Sequence, residues 1–284
     1  MNEARRATRS GRALIGWMAP EAAHSILVGG PADAVTAPAH VERARAARAA
    51  VAARSTGIDQ REVVLELPDC VAAHVQGLRA QALIAPYFAS GWEPRLVDLT
   101  RLCAVQPHIH TDDAEQRVAG LDANDLRAIA AISLPKSEPS QIPVQYEADR
   151  NTWIFSARNQ NLRVVSQFQG QIQPGTVGFG FVVGVVPSVF QVASFQERYL
   201  LRDGYHRAYG LLRRGITHVP AFVRAFATLQ ELALTPAMLP HEAFLGDRPP
   251  VLADYLDDAV TADVELPAFQ KMIVIQALEL TPMA

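Results

Sequence analysis

Asp203-Gly204-Tyr205-His206-Arg207 is the stretch of this chain whose residue types and spacing suit chemistry on an anion. Gly204 has no side chain, so backbone amides there can come close to a ligand. His206 and Arg207 open a segment with the composition of a helix, and a helix N-terminus favours negative charge. A planar, permanently charged guanidinium grips a phosphate or carboxylate with two parallel hydrogen bonds, which an ammonium does less well. His206 would contact that phosphate or move a proton near neutral pH; the competing reading is that it caps or packs. Tyr205 and Tyr209 read as packing residues, or as one wall of a base pocket. The plainest alternative is an ordinary turn with a solvated arginine.

A second constellation is Gln106-Pro107-His108-Ile109-His110-Thr111-Asp112-Asp113. On a strand, His108 and His110 would face one side, a spacing that metal sites use. With His206 the three would make a zinc or iron site; as polar loop residues they would hold nothing. Other chemistries find no support. The glycines Gly178, Gly180 and Gly184 have the wrong spacing for a dinucleotide loop, and Val185-Val186-Pro187 resumes strand character where a helix is needed. Neither Lys136 nor Lys271 lies in a Gly-rich loop. Cys70 and Cys103 are too few for a disulfide framework or a cysteine-based zinc site, and both read as small core residues.

The elements that must position the turn are legible around it. Tyr199-Leu200-Leu201 is a strand, Ala208 to Arg214 a helix stopped by Gly215, and Ile216 to Val223 a strand in which Pro220 points to an edge or a start. Upstream, Leu96 to Leu102 predicts a strand, Gln106 to His110 a turn, and Asp122 a cap for a helix running to Ile132. Between these segments, Trp153 to Phe155, Leu162 to Phe168 and Gly178 to Phe195 supply strands. Residues 13–95 read as mainly helical, with a strand at Val63 to Leu67 and a helix from Cys70 ending near Pro86. Beyond Phe226, Thr228 to Leu234 reads as a helix and Val251 to Val260 as an acidic amphipathic one. Phe269 to Leu280 is an apolar strand or docking helix.

The turn, followed by Ala208, Gly215, Val219 and Pro220, resembles the signature of the ParB/sulfiredoxin-like superfamily: glycine, two variable residues, arginine, a helix, a glycine and a Val-Pro strand. Leu96-Val97-Asp98-Leu99 through Gln106-Pro107, then Leu121 to Ile132, is similar to its opening strand, Gln-Pro turn and first helix. The resemblance implies an α+β fold, a mixed sheet with helices. It would comprise a disordered basic tail (1–12), a mainly helical region (13–95), a core with a strand-rich insertion (96–226) and a C-terminal extension (227–284). It further implies ATP or CTP on Asp203, Gly204, Tyr205, His206 and Arg207. Mg2+ would be held by Asp203 or Asp112, with His206, Asp112 and Asp113 as catalytic groups, and Glu115 as another candidate carboxylate. Partition proteins of this type carry Glu-Arg-Arg after the glycine. Sulfiredoxins carry Gly-Cys-His-Arg, and Tyr205 stands where that thiol should be. A phenol with a pKa of ~10 cannot replace a thiolate, which argues against sulfinic acid reduction. Free serine kinases carry Asp-Gly-His-Thr-Arg, sharing the Asp-Gly and the arginine spacing.

Length and charge bound the rest. The chain has 284 residues, 49% hydrophobic, with a net charge of −3, so it can bury one or two cores and has no basic field for nucleic acid. Met1 to Arg12 reads as a solvated tail without an apolar signal run. Val164 to Phe195 has no charged side chain, but its glutamines and prolines argue against a membrane helix. A cytoplasmic protein is expected, acting by phosphoryl transfer or nucleotide hydrolysis on a small-molecule or protein acceptor, and possible as a homo-oligomer. The rival expectation is a non-catalytic, nucleotide-gated interaction or structural protein.

Overall fold

The computed structural model describes residues 8–29, 38–137, 141–157, 161–235, 237–268 and 271–277. Its class is α+β. In chain order the strands are β1 (Thr8–Ala13), β2 (Val64–Leu65), β3 (Glu93–Asp98), β4 (Cys103–Ala104), β5 (His108–His110), β6 (Val144–Glu147), β7 (Thr152–Ala157), β8 (Leu162–Gln173), β9 (Thr176–Val185), β10 (Gln191–Phe195), β11 (Arg198–Asp203), β12 (His218–Ala225), β13 (Ala262–Pro267) and β14 (Lys271–Gln276). The helices are α1 (Pro20–Val28), α2 (Pro38–Ala52), α3 (Ala72–Arg79), α4 (Ala85–Ala89), α5 (Thr111–Arg117), α6 (Leu126–Ser133), α7 (Tyr205–Arg213), α8 (Leu229–Leu232) and α9 (His241–Leu245). The chain divides into two compact units, 1–135 with 188–267, and 136–187 with 268–284.

The first unit holds a six-stranded mixed sheet in the order β2-β3-β12-β10-β11-β4 and a three-stranded antiparallel sheet, β13-β1-β5. The strand–turn–helix–strand expected around Gly204 is β11–α7–β12. Pro220 fits inside β12 because the neighbouring strand starts late. Phe222 N donates to Phe190 O, and Pro220, two residues earlier, turns its nitrogen the same way, ahead of the first β10 pairing at Gln191. Gly215, at φ 75°, ends the helix segment as expected.

Several local expectations are corrected. Residues 8–12 are strand, not tail: Arg9 pairs with Asp112 and Asp113, and Arg12 with Asp258 and Asp263, so the charges that suggested solvation fasten the strand. Residues 1–7 lie outside the described residues. Strand β3 stops at Asp98, whose carboxylate accepts from Thr100 N and Thr100 Oγ1 and turns the chain. The cap of α6 is Asp125, accepting from Arg127 N and Ala128 N, whereas Asp122 holds a turn through Asn124 N. Pro86 begins α4 instead of ending a longer helix; in a first turn its missing N–H costs nothing. The acidic stretch after Val251 is one short 3₁₀ turn, because Asp254 is buried against Arg54 and Val251 N. Cys103 is buried as expected, its thiol pushed up to about 12 by that burial, but Cys70 is exposed.

The second unit holds the antiparallel sheet β14-β7-β6 and the hairpin β8–β9. Pro174-Gly175 closes the hairpin, with Gly175 at φ 80°, the conformation that suits glycine at the third position of a type II turn. The strands expected in the middle of the chain are all present, and the segment after Phe269 is a strand over Lys271–Gln276.

Candidate functional site

Gly204 caps α7 at φ 111°, a left-handed conformation that a side chain rarely adopts. The space a Cβ would occupy is taken: Phe190 lies 2.8 Å from that position. The side of Gly204 that a side chain would fill is therefore occupied by an aromatic ring.

Arg207 is 5% exposed, and its hydrogen bonds go to protein. Nη1 donates to Ile132 O at 2.8 Å and to Ser188 O at 2.7 Å, and Nη2 donates to Ser188 Oγ at 2.8 Å. The guanidinium stacks on Phe190, 4.9 Å from the ring centre. Burial lowers its pKa to about 10, which leaves it charged at neutral pH. Ser188 Oγ also bonds to both carboxylate oxygens of Asp203 at 3.0 Å, so one hydroxyl joins the two ends of the turn. Tyr205 is buried as well. Its hydroxyl donates to Leu201 O and accepts from Val105 N at 2.8 Å and Gln106 N at 3.3 Å. Burial raises the phenol above its ordinary range. Tyr255, edge-on to Tyr205, donates to Gln106 O. Asp203, Gly204, Tyr205 and Arg207 thus form an internal clamp.

His206 points elsewhere. The segment of β5 and α5 packs on α7 where Gly210 has no side chain: a Cβ there would meet Ala114 O at 2.6 Å. This close approach brings His206 against His110, with ring centroids 5.7 Å apart and planes 10° from parallel. His206 Nε2, His110 Nδ1 and His108 Nδ1 are buried and make no hydrogen bond. Burial, then Arg117 and His110, lowers the His206 pKa to about 4, and burial also lowers His108 and His110. These imidazoles are neutral near pH 7.

Asp112 and Asp113 stand in the first turn of α5, where the helix end favours negative charge. Arg9 holds both: Nε reaches Asp112 Oδ2 at 2.8 Å, and Nη1 and Nη2 reach the two oxygens of Asp113 at 2.9 and 2.6 Å. Burial opposes ionisation of both carboxyls, but the hydrogen bonds from Arg9 outweigh it and hold them below their usual range. Of the two carboxylates expected as alternative holders of Mg2+, Asp203 accepts from Ser188 and Asp112 from Arg9. Among the described residues no three His, Cys, Asp or Glu gather closely enough to hold a metal ion, so His108, His110 and His206 do not make a three-histidine site.

A cleft of about 880 Å³ opens beside α5, with Arg12, Asp112, Glu115, Arg213, Asp258 and Glu265 in its wall. Arg12 is spent on Asp258 and Asp263, and Arg213 on Glu115. Carboxylates outnumber arginines there, and such a lining repels a polyphosphate. Among the described residues no helix is long and apolar enough to cross a membrane.

Ser188, Phe190, Ile132 and Arg9 were not marked by any sequence pattern. Ser188 lies inside a charge-free run and Ile132 contributes only its carbonyl, so neither residue type signals its role. No protein-family model matches the chain, and no curated protein or solved structure matches it.

Proposed function

We propose that this protein is a non-catalytic interaction or structural protein in which the Asp203–Arg207 turn packs the core. One observation carries the reading: the hydrogen bonds of Arg207 run to Ile132 O, Ser188 O and Ser188 Oγ, over the Phe190 ring that packs beside Gly204. Freeing the guanidinium for a phosphate would take this partner from two carbonyls on half-buried residues, Ile132 and Ser188. Each loss would cost roughly 1–3 kcal/mol, which a ligand would have to offset before gaining affinity. The carboxylate-rich cleft nearby supports the same reading, since ATP or CTP entering it would meet its own sign of charge.

The test is calorimetric titration of the full chain with ATP, CTP and their non-hydrolysable analogues, with and without Mg2+. No saturable heat is expected, and no hydrolysis. Saturable binding to either nucleotide would return the phosphate-cradle reading to first place. Turnover abolished by Arg207→Lys would make the protein an enzyme.

A further inference from the structure

The arginines that fasten the first unit are held by carboxylates or main-chain oxygens. Arg79, Arg202 and Arg224, in the same unit, are not: among the described residues they make no ion pair and no hydrogen bond. Each lies over an aromatic ring instead. Arg79 stands 4.1 Å from the centre of Phe88, Arg202 5.6 Å from Trp92 and 5.2 Å from Phe226, and Arg224 4.8 Å from Phe226.

The rings belong to one row. Phe88 meets Phe222 edge-on at 5.1 Å, Phe222 stacks on Tyr87 at 5.5 Å, Tyr87 meets Trp92 at 6.3 Å, and Trp92 meets Phe226 at 5.7 Å. The two-residue period of a strand sets Phe222, Arg224 and Phe226 on one face. Arg202 reaches that face from a bulge. Leu201 pairs with Val192 and Asp203 with Gln191, so Arg202 is left without a partner on β10, and a bulge re-aims the side chain it carries.

A guanidinium over a ring uses its flat face and keeps its N–H donors. Arg202 Nε is buried and makes no hydrogen bond. Arg202 and Arg224 also act on each other as like charges, and burial together with Arg224 lowers the Arg202 pKa. Asp203 acts on Arg202 from the same strand, but its oxygens accept from Ser188 and no ion pair forms. Cations arranged in this way lack a counter-charge.

We propose that Arg79, Arg202 and Arg224 form a docking surface for an acidic segment of a partner protein, one that carries several Asp or Glu side chains. The arrangement favours carboxylates over a phosphate. Arg79 stands at one end of the row of rings and Arg202 and Arg224 at the other, which suits separate charges spaced along a chain. Trp92, Phe222 and Phe226 are buried, so they offer no faces on which nucleic acid bases could stack. Arginine and aromatic residues are also the types enriched where proteins meet. The surface shares no residue with the Arg207 clamp and stands whether or not the turn takes a nucleotide.

The test is fluorescence anisotropy of a labelled oligoglutamate peptide titrated with the full chain at low salt. Saturable binding is expected, and Arg202→Gln with Arg224→Gln should weaken it at least ~10-fold. Arg202→Lys with Arg224→Lys, which keeps both charges without the planar fork, should recover part of that loss and so separate lost contact from lost folding. Arg45→Gln with Arg48→Gln, which removes the same charge from α2, should leave binding unchanged. Absence of saturable binding overturns the proposal. So does equal weakening by the α2 pair, since the attraction would then be diffuse. Displacement of the peptide by an equal concentration of inorganic pyrophosphate overturns it in favour of a phosphate ligand. Nucleotide heat that survives the loss of Arg202 and Arg224 would bear on the turn alone.

Discussion

The imidazole of His206 lies face to face with that of His110, 5.7 Å between ring centres, and the buried ring nitrogens His206 Nε2 and His110 Nδ1 have no partner. Neither ring can take a proton without placing a cation against the other and near Arg9 or Arg117. The His206 pKa falls from its ordinary 6.5 to about 4, chiefly through burial. Between those two values the unfolded chain holds a proton that the native chain does not, so acidification favours unfolding. Stability should therefore rise with pH through this window and level off above it. At ~1.4 kcal/mol per pH unit the full effect is about 3 kcal/mol. Urea unfolding at pH 7 and pH 4.5 measures it, and His206→Gln should flatten the profile without abolishing it, because His108 and His110 are shifted the same way. An NMR titration placing the His206 midpoint near its ordinary value would refute the account.

Arg207 supplies the second prediction. It is a buried cation held by two carbonyls, one hydroxyl and a ring face. Arg207→Ala removes the stack and leaves Ile132 O and Ser188 O unpaired, at a cost of about 3–5 kcal/mol. Arg207→Lys keeps the charge but has no planar fork, and should recover only part of that loss. Ser188→Ala, which cuts the link to Asp203 and leaves the arginine in place, should cost about 1–3 kcal/mol. Denaturant midpoints at neutral pH order the three. If Arg207→Ala unfolds at the wild-type midpoint, the turn is no clamp and the case for an internal role is lost.

How much of this was legible in the sequence depends on the range of each interaction. The turn at Gly204, the helix after it, Gly215 as its stop and the Val219-Pro220 strand are set by neighbours a few residues apart, and they were readable, although the helix starts at Tyr205, three residues before the expected Ala208. The fate of Arg207 was not. Its partners, Ser188 and Ile132, lie 19 and 75 residues away, and the three acceptors are two main-chain carbonyls and a hydroxyl that any loop could offer. The same reason hid β1. Arg9 and Arg12 read as solvated until the fold supplied Asp112, Asp113, Asp258 and Asp263 across more than a hundred residues. Gln106 to His110 read as a turn, yet His108–His110 is a strand paired to β1, and only the packing of α7 at Gly210 could bring His206 to it.

Two glycines in the same motif separate conformational strain from crowding. Gly204 and Gly215 both have positive φ, 111° and 75°. A Cβ on Gly215 would meet nothing within 4 Å, whereas on Gly204 it would meet Phe190 at 2.8 Å. Gly215→Ala should therefore cost only the left-handed backbone, about 1 kcal/mol, and Gly215→Asn less, since asparagine tolerates that region. Gly204→Ala carries a similar strain and must also push aside a ring that is fully buried and stacked on Arg207, for about 3 kcal/mol or more. The Phe190 ring cannot retreat without breaking the arginine contact, so the loss should appear as global destabilisation in urea. An open cradle predicts the reverse order of consequences: Gly204→Ala would then leave the unfolding midpoint near that of Gly215→Ala and weaken a ligand instead.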